Sequence, residues 1–351
     1  MEKSIKQKDI NSTIMYEMQE LKEYLESNFK ISNLKELSQN SDSKVAGTGT
    51  TKSTILFGDT KGGQKVVIKI GVSNSTSGVE IIKNYEAYEV SKKIGANIIP
   101  KIVLFDKYKN LNLLIIEHGA TDFVSLMRGL EKDKNGLQNA YQGFIEKLNE
   151  VHRSTQIEDA QQVMNFVNYT FERLAENFEK YLIPAGLAEA DNIKLIRLIQ
   201  QEIKVLLPTK VEWTNWGEFV PEHVFISNGR YFVIDPKGKD QVLAIPQIDL
   251  AIFAELCRVY SLPGAEDNYY KFKELSLEIT SSQGGNSEID SIWWALGHAL
   301  QYSMSSRFRL DKHPKESVEY AKKSIKNIEK LRDYVMEAKF KHNPLNNLKR
   351  T

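Results

Sequence analysis

Residues 216–238, WGEFVPEHVFISNGRYFVIDPKG, constrain the fold more than any other stretch. Val224-Phe225-Ile226-Ser227 and Arg230-Tyr231-Phe232-Val233-Ile234 are β-rich runs separated by Asn228-Gly229. A two-residue hairpin loop needs positive φ at both central positions, and Asn-Gly adopts that conformation at least cost. The pattern predicts a hairpin whose ends lie side by side. Glu218 and His223 before it then converge with Asp235 at its exit. A Glu, a His and an Asp on one small β unit suit a site for metal and nucleotide.

A chain of 351 residues is long enough for two lobes. Its formal net charge of +1 gives no strong field, so neither nucleic acid nor a membrane is expected as a partner. From Lys312 onward there are 11 Lys/Arg against 5 Asp/Glu, which reads as the solvated face of a helix. Residues 1–311 are correspondingly acidic. The single cysteine, Cys257, excludes an intramolecular disulfide and reads as a buried helical thiol, which fits a reducing compartment. There is no apolar run of about 18 residues and no hydrophobic leader in MEKSIKQKDINST, so a cytoplasmic location is expected.

Taken in order, residues 1–40 read as polar, helical or partly disordered, with Leu21, Tyr24, Leu25 and Phe29 on one helical side. Residues 53–57 and 65–70 form a second hairpin around Gly62-Gly63. Before it, Gly47-Thr48-Gly49-Thr50-Thr51-Lys52-Ser53 is either a flexible loop or a loop whose N–H groups meet phosphates. It is not a Walker A loop: Thr51 stands where that motif needs Gly, and the segment leads into a strand rather than a helix. Lys69 sits in Val66-Val67-Ile68-Lys69-Ile70, apolar on both sides. It either faces water on an edge strand or aims at phosphates while a carboxylate holds it.

Residues 78–95 predict a helix with Ile82, Tyr85, Tyr88 and Glu89 at helical spacing and Gly95 at its end. Glu86 on this helix is the candidate partner of Lys69, with Glu80 and Glu89 as competitors. Residues 100–106 and 112–117 predict two strands. The second leads through Glu117-His118-Gly119 into a hinge, where His118 serves as a metal ligand or base or contributes backbone alone. Helical patterns then dominate. His152 reads as structural. Trp293, Trp294 and His298 belong to the core or to a substrate wall, and Glu255 and Asp290 are acids of the same helical region where an acceptor would be chosen.

This order resembles the protein-kinase-like superfamily, in particular its aminoglycoside phosphotransferase and choline kinase branch, over roughly residues 45–310. The matching residues are Val66-Val67-Ile68-Lys69, Glu86, Ile115-Ile116-Glu117-His118, Trp216-Gly217-Glu218-Phe219-Val220-Pro221-Glu222-His223, Val233-Ile234-Asp235-Pro236 and Ile248-Asp249-Leu250-Ala251. The resemblance implies an α+β, two-lobed fold with a small β-rich N-lobe and a larger helical C-lobe. The expected division is 1–44 as an N-terminal helical extension, 45–118 as the nucleotide-binding N-lobe, and 119–351 as the C-lobe, with the hairpin at 216–238.

It further implies ATP and Mg2+ as cofactors. Lys69 would meet the α/β-phosphates and Glu86 would hold Lys69. Gly47, Thr48, Gly49 and Ser53 would cover the phosphates. Glu117 and His118 would form the hinge, with His118 offering backbone to adenine. Asp235 would bind metal, and Asp249 would brace the loop. The family's loop reads His-Gly-Asp, four residues, then Asn. Here Trp216 replaces the His, Glu218 stands at the catalytic Asp, and His223 stands at the second metal ligand.

The expected activity is an ATP-dependent small-molecule phosphotransferase acting on a hydroxyl acceptor, for which a cationic compound is compatible. The alternatives are a pseudokinase that binds nucleotide or a partner protein, and a kinase-like enzyme with protein-kinase or nucleotidyl-transfer activity.

Overall fold

Strands that are apolar on both sides organise the N-terminal third into one antiparallel sheet. The computed structural model describes residues 18–36, 53–119, 121–216 and 219–342. A helix over residues 18–29 (α1) precedes strand β1 (Ile31–Glu36), and β2 (Thr54–Thr60), β3 (Lys65–Val72), helix α2 (Thr76–Lys93), β4 (Ile102–Tyr108) and β5 (Leu111–Glu117) follow. The strand order is β1-β2-β3-β5-β4. Leu21 and Leu25 of α1 join Leu56, Val66, Ile68, Leu113 and Ile115 in one core cluster. Ile81 and Tyr88 of α2 join Leu114 and Ile116 in another. A helix thus covers each face, which is why β5 is apolar at nearly every position.

The helix on Leu21 and Leu25 is as expected, but residues 31–36 form a strand rather than part of a helical extension. Only Ile31 of ISNLKE is buried, so no alternation marks the segment. Pairing with β2 creates it. Helix α2 also differs from its sequence reading. Its buried residues are Gly78, Ile81, Asn84, Ala87, Tyr88 and Ser91, while Ile82 is exposed. Ser75 caps the start, accepting from the Gly78 N–H at 3.2 Å, and Gly95 takes φ 81° just beyond the end.

Beyond the hinge come β6 (Thr121–Asp122), α3 (Phe123–Gly129), α4 (Lys134–Thr155), β7 (Ile157–Glu158), α5 (Ala160–Asn177), α6 (Ala190–Glu202) and β8 (Lys210–Trp213). The predicted hairpin is β9 (Val224–Ser227) and β10 (Arg230–Val233), followed by β11 (Leu243–Ala244), α7 (Pro246–Val259), α8 (Ala265–Ser282), α9 (Ser287–Arg309) and α10 (Pro314–His342). Helix α9 is central, buried from Ile292 to Ser306 and packed by α7 and α10. The basic C-terminal segment buries Ala321, Ile328, Leu331, Val335 and Ala338 along one stripe. Its lysines therefore lie on the outer face, as an amphipathic surface helix requires.

The hairpin forms as expected. Ser227 pairs with Arg230, and Asn228 and Gly229 take φ 49° and 73°. Strand β6 adds to its other edge through Thr121 and Ile226. Gly119 needs its missing Cβ, which would lie 2.5 Å from the Phe225 side chain. The hinge therefore packs directly on the hairpin. A β-branched residue is strained at positive φ, so Gly229→Val should lower stability by about 1–2 kcal/mol. Urea unfolding measures this, and an unchanged midpoint would show that the turn does not hold the hairpin.

Candidate functional site

Strand β3 is central, paired with β2 on one side and β5 on the other, and this excludes the edge-strand reading of Lys69. Lys69 is 7% exposed. A buried ammonium is costly unless paired, and its partner here is the Asp235 carboxylate, in direct contact through Oδ1. Lys69 Nζ also donates to Asn84 Oδ1 at 3.2 Å. Burial pushes its pKa down to about 8, and the Glu80 carboxylate opposes that shift.

Glu86 is not the residue that holds Lys69. Its carboxylate accepts from Lys239 at 3.5 Å in an exposed pair. Residues 84 and 86 point about 200° apart around a helix, and it is Asn84 that lies on the buried stripe. Of the two competitors, Glu80 is the one that acts on the Lys69 charge.

Asp235 follows the hairpin at φ 58°, a left-handed conformation that turns its carboxylate toward β3. Its N–H donates to Tyr88 Oη at 3.3 Å. The Ile234 N–H donates to the His223 carbonyl at 2.9 Å, which ties the hairpin exit to its entrance. His223 closes a short turn (Pro221–His223). Its Nε2 lies 3.9 Å from Asp235 Oδ2. The hairpin thus brings His223 and Asp235 together as expected. Glu218, Gly47, Thr48 and Gly49 lie outside the described residues. Ser53 immediately precedes β2, where Ile55 is in register with Lys69.

At the hinge, Glu117 accepts from the Lys101 N–H at 3.0 Å and pairs with Arg230 of β10. The His118 N–H is engaged by the Lys65 carbonyl at 3.0 Å. Its ring packs on Phe57 at 5.0 Å, and burial pushes its pKa down. With that N–H taken, the backbone group His118 has to offer is its carbonyl.

The loop before the hairpin is held from behind. Asp249, buried in α7, accepts from the Asn215 N–H at 2.6 Å, the bracing contact expected of it. Trp216 is absorbed by the core. Its indole lies 5.1 Å from Phe166 and from Tyr169 and donates to the Leu243 carbonyl at 3.1 Å.

Among the described residues no group of three or more His, Cys, Asp or Glu side chains could hold a metal ion. Asp235 and His223 supply two donors, enough for a divalent ion only when phosphate and water oxygens complete its shell. The carboxylate fits Mg2+, whereas imidazole suits a transition metal better.

Other candidates prove internal. Trp293 and Trp294 belong to the core. His298 is buried against the Tyr269 hydroxyl at 3.2 Å. Glu255 accepts from Tyr302 at 2.7 Å and Arg258 at 3.0 Å, while Asp290 accepts from Ser276 and Thr280. Cys257 is a buried thiol whose pKa burial raises. Sequence reasoning missed Asn84 altogether and gave Tyr88, which it placed at helical spacing on α2, no part in the site; both are polar groups on the buried face of the helix. The available signal was their spacing from Ile81.

No protein-family model matches the sequence, and neither does any curated protein. Solved structures do. A chain from Haemophilus somnus 129PT assigned as a fructosamine-3-kinase is similar at TM-score 0.50 and 13% identity, over 89% of this chain and 96% of that one. The fold is kinase-like. Macrolide 2'-phosphotransferase from Brachybacterium faecium is similar at TM-score 0.45 and 13% identity, over 88% of this chain and 97% of that one. The gentamicin–APH(2")-IIa complex is similar at TM-score 0.44 and 17% identity, over 87% and 95% of the two chains. At these identities the likeness is one of fold.

Behind the loop, Glu212 of β8 accepts from Gln156 at 2.7 Å and Gln283 at 3.2 Å. Its Oε2 lies 3.4 Å from His152 Nδ1, and both side chains line a cavity of about 160 Å3. Burial pushes Glu212 up to about 7 and His152 down to about 3, so the histidine is a neutral structural group. A carboxyl whose folded pKa is raised contributes stability that is complete below its usual value of 4.5 and lost as pH rises through about 7. Relative to Glu212→Gln, the wild type should therefore lose about 3 kcal/mol over that window. Urea unfolding of both proteins at several pH values tests this, and parallel stability curves would refute it.

Proposed function

We propose that the protein is an ATP-dependent phosphotransferase that moves the γ-phosphoryl group to a hydroxyl of a small molecule. The observation that carries this reading is the Lys69–Asp235 contact. In a kinase-like fold it joins a cation on the central strand of the β-rich lobe to a carboxylate at the hairpin exit of the helical lobe. Lys69 is assigned to the α/β-phosphates, the Gly47–Ser53 loop to covering them, and the hinge at Glu117 and His118 to the adenine edge.

Asp235 and His223 would hold a divalent ion together with the phosphates, and the ion would neutralise charge on the transferring group. The acceptor hydroxyl oxygen forms the new bond to the γ-phosphorus. The bond to the β,γ-bridging oxygen breaks, ADP leaves with that electron pair, and Glu218 takes the hydroxyl proton. Glu255 and Asp290 are already satisfied within the lobe, so they add no support for a cationic acceptor. No helix among the described residues is long and apolar enough to cross a membrane.

A second reading is a nucleotide-binding protein without turnover. It is favoured by Trp216, held in the core where the family places a loop histidine, and by His223 at a position that suits an oxygen ligand. Purified protein incubated with ATP, Mg2+ or Mn2+ and a panel of sugars, amines and proteins separates the two. Product carrying one added phosphoryl mass supports transfer, an adenylyl mass indicates nucleotidyl transfer, and binding without product favours the second reading.

If transfer occurs, Lys69→Met and Asp235→Asn should each cost about 10²-fold or more in kcat/KM. His223→Asn should raise the rate with Mg2+ relative to Mn2+. A metal preference unchanged by that substitution would remove His223 from the metal site.

A further inference from the structure

The Asn84 side chain is 3% exposed, and both ends of its amide are used. Oδ1 accepts from the Lys69 ammonium at 3.2 Å, and Nδ2 donates to the Pro236 carbonyl at 2.7 Å. The two partners fix the amide's orientation, because an ammonium only donates and a carbonyl only accepts. The same stripe of α2 carries two more polar ties. Tyr88 Oη accepts from the Asp235 N–H at 3.3 Å, and Ser91 Oγ accepts from the Trp213 indole of β8 at 3.1 Å. Helix α2 is therefore anchored along one line to β3, to the turn after the hairpin, and to β8.

We propose that Asn84 is a neutral clasp, a positioning residue that holds Lys69 and the backbone following Asp235 in one geometry for nucleotide phosphates. This rests on the nucleotide reading above and names a residue that reading does not contain. An acidic side chain of the same shape would serve Lys69 but set a carboxylate against the Pro236 carbonyl and beside Asp235. An amide serves both partners. It also leaves the Lys69 charge without a second hydrogen-bonded carboxylate: Glu80 acts on it through space, and Glu86 is turned away to Lys239. Asp235 is then the one anion that must be exchanged when phosphates arrive, while Asn84 keeps its hold on the lysine.

Calorimetric titration of ATP, with and without Mg2+, and of adenosine tests the clasp in wild type, Asn84→Ala and Asn84→Asp. Asn84→Ala should weaken ATP binding about tenfold, as expected for losing one hydrogen bond to a charged group. It should leave adenosine binding unchanged. Asn84→Asp should also weaken ATP binding, although it is isosteric and gives Lys69 a carboxylate. Equal losses for ATP and adenosine, or ATP binding by Asn84→Asp at wild-type strength, would overturn the proposal.

A urea-unfolding double-mutant cycle of Asn84→Asp with Lys69→Met, run without nucleotide, should show coupling between the two sites, and zero coupling would also overturn it. If the wild type binds no ATP, the nucleotide reading fails and the cycle decides whether the clasp itself exists.

Discussion

A buried ammonium is the constraint on which this molecule turns. Lys69 lies in the middle of a five-stranded sheet, flanked by strands on both sides, where an unpaired charge would cost several kcal/mol. Its counter-charge comes from Asp235, 166 residues later in the chain. That contact joins the hairpin of the helical lobe to the sheet of the β-rich lobe. Smaller contacts accompany it. Tyr88 meets the Asp235 N–H, Asn84 meets the Pro236 carbonyl, and Arg230 reaches Glu117 at the hinge.

In the helical lobe the backbone before the hairpin is supported from behind. Asp249 still braces the backbone at Asn215. Trp216 fills core volume and satisfies its indole N–H on the Leu243 carbonyl. The acids Glu255 and Asp290 are saturated by neighbours on α7, α8 and α9.

Much of the architecture was legible because its signals are local. Asn228-Gly229 demanded a tight turn, and the turn formed with both residues at positive φ. Lys69 within an apolar run marked a strand, and Gly95 marked a helix end. The kinase-like order of elements followed. Strand β1 was not legible, because ISNLKE buries one residue and becomes a strand by pairing with β2. The partner of Lys69 was also misread. Helix α2 carries polar residues on its buried face as well as its exposed one, so apolar spacing placed Tyr85 and Tyr88 correctly but took the exposed Ile82 with them and passed over Asn84.

The sequence alone determined the hairpin, the strand that carries Lys69 and the approach of His223 to Asp235, since turn geometry and two-residue periodicity act over a few neighbouring residues. The tertiary structure alone decided that Asn84 rather than Glu86 faces Lys69, that β3 is central, and that Glu255 and Asp290 are internal. Those outcomes depend on how a helix is rotated about its axis and on which groups arrive from distant parts of the chain. Packing and charge pairing set both, and no local pattern records them.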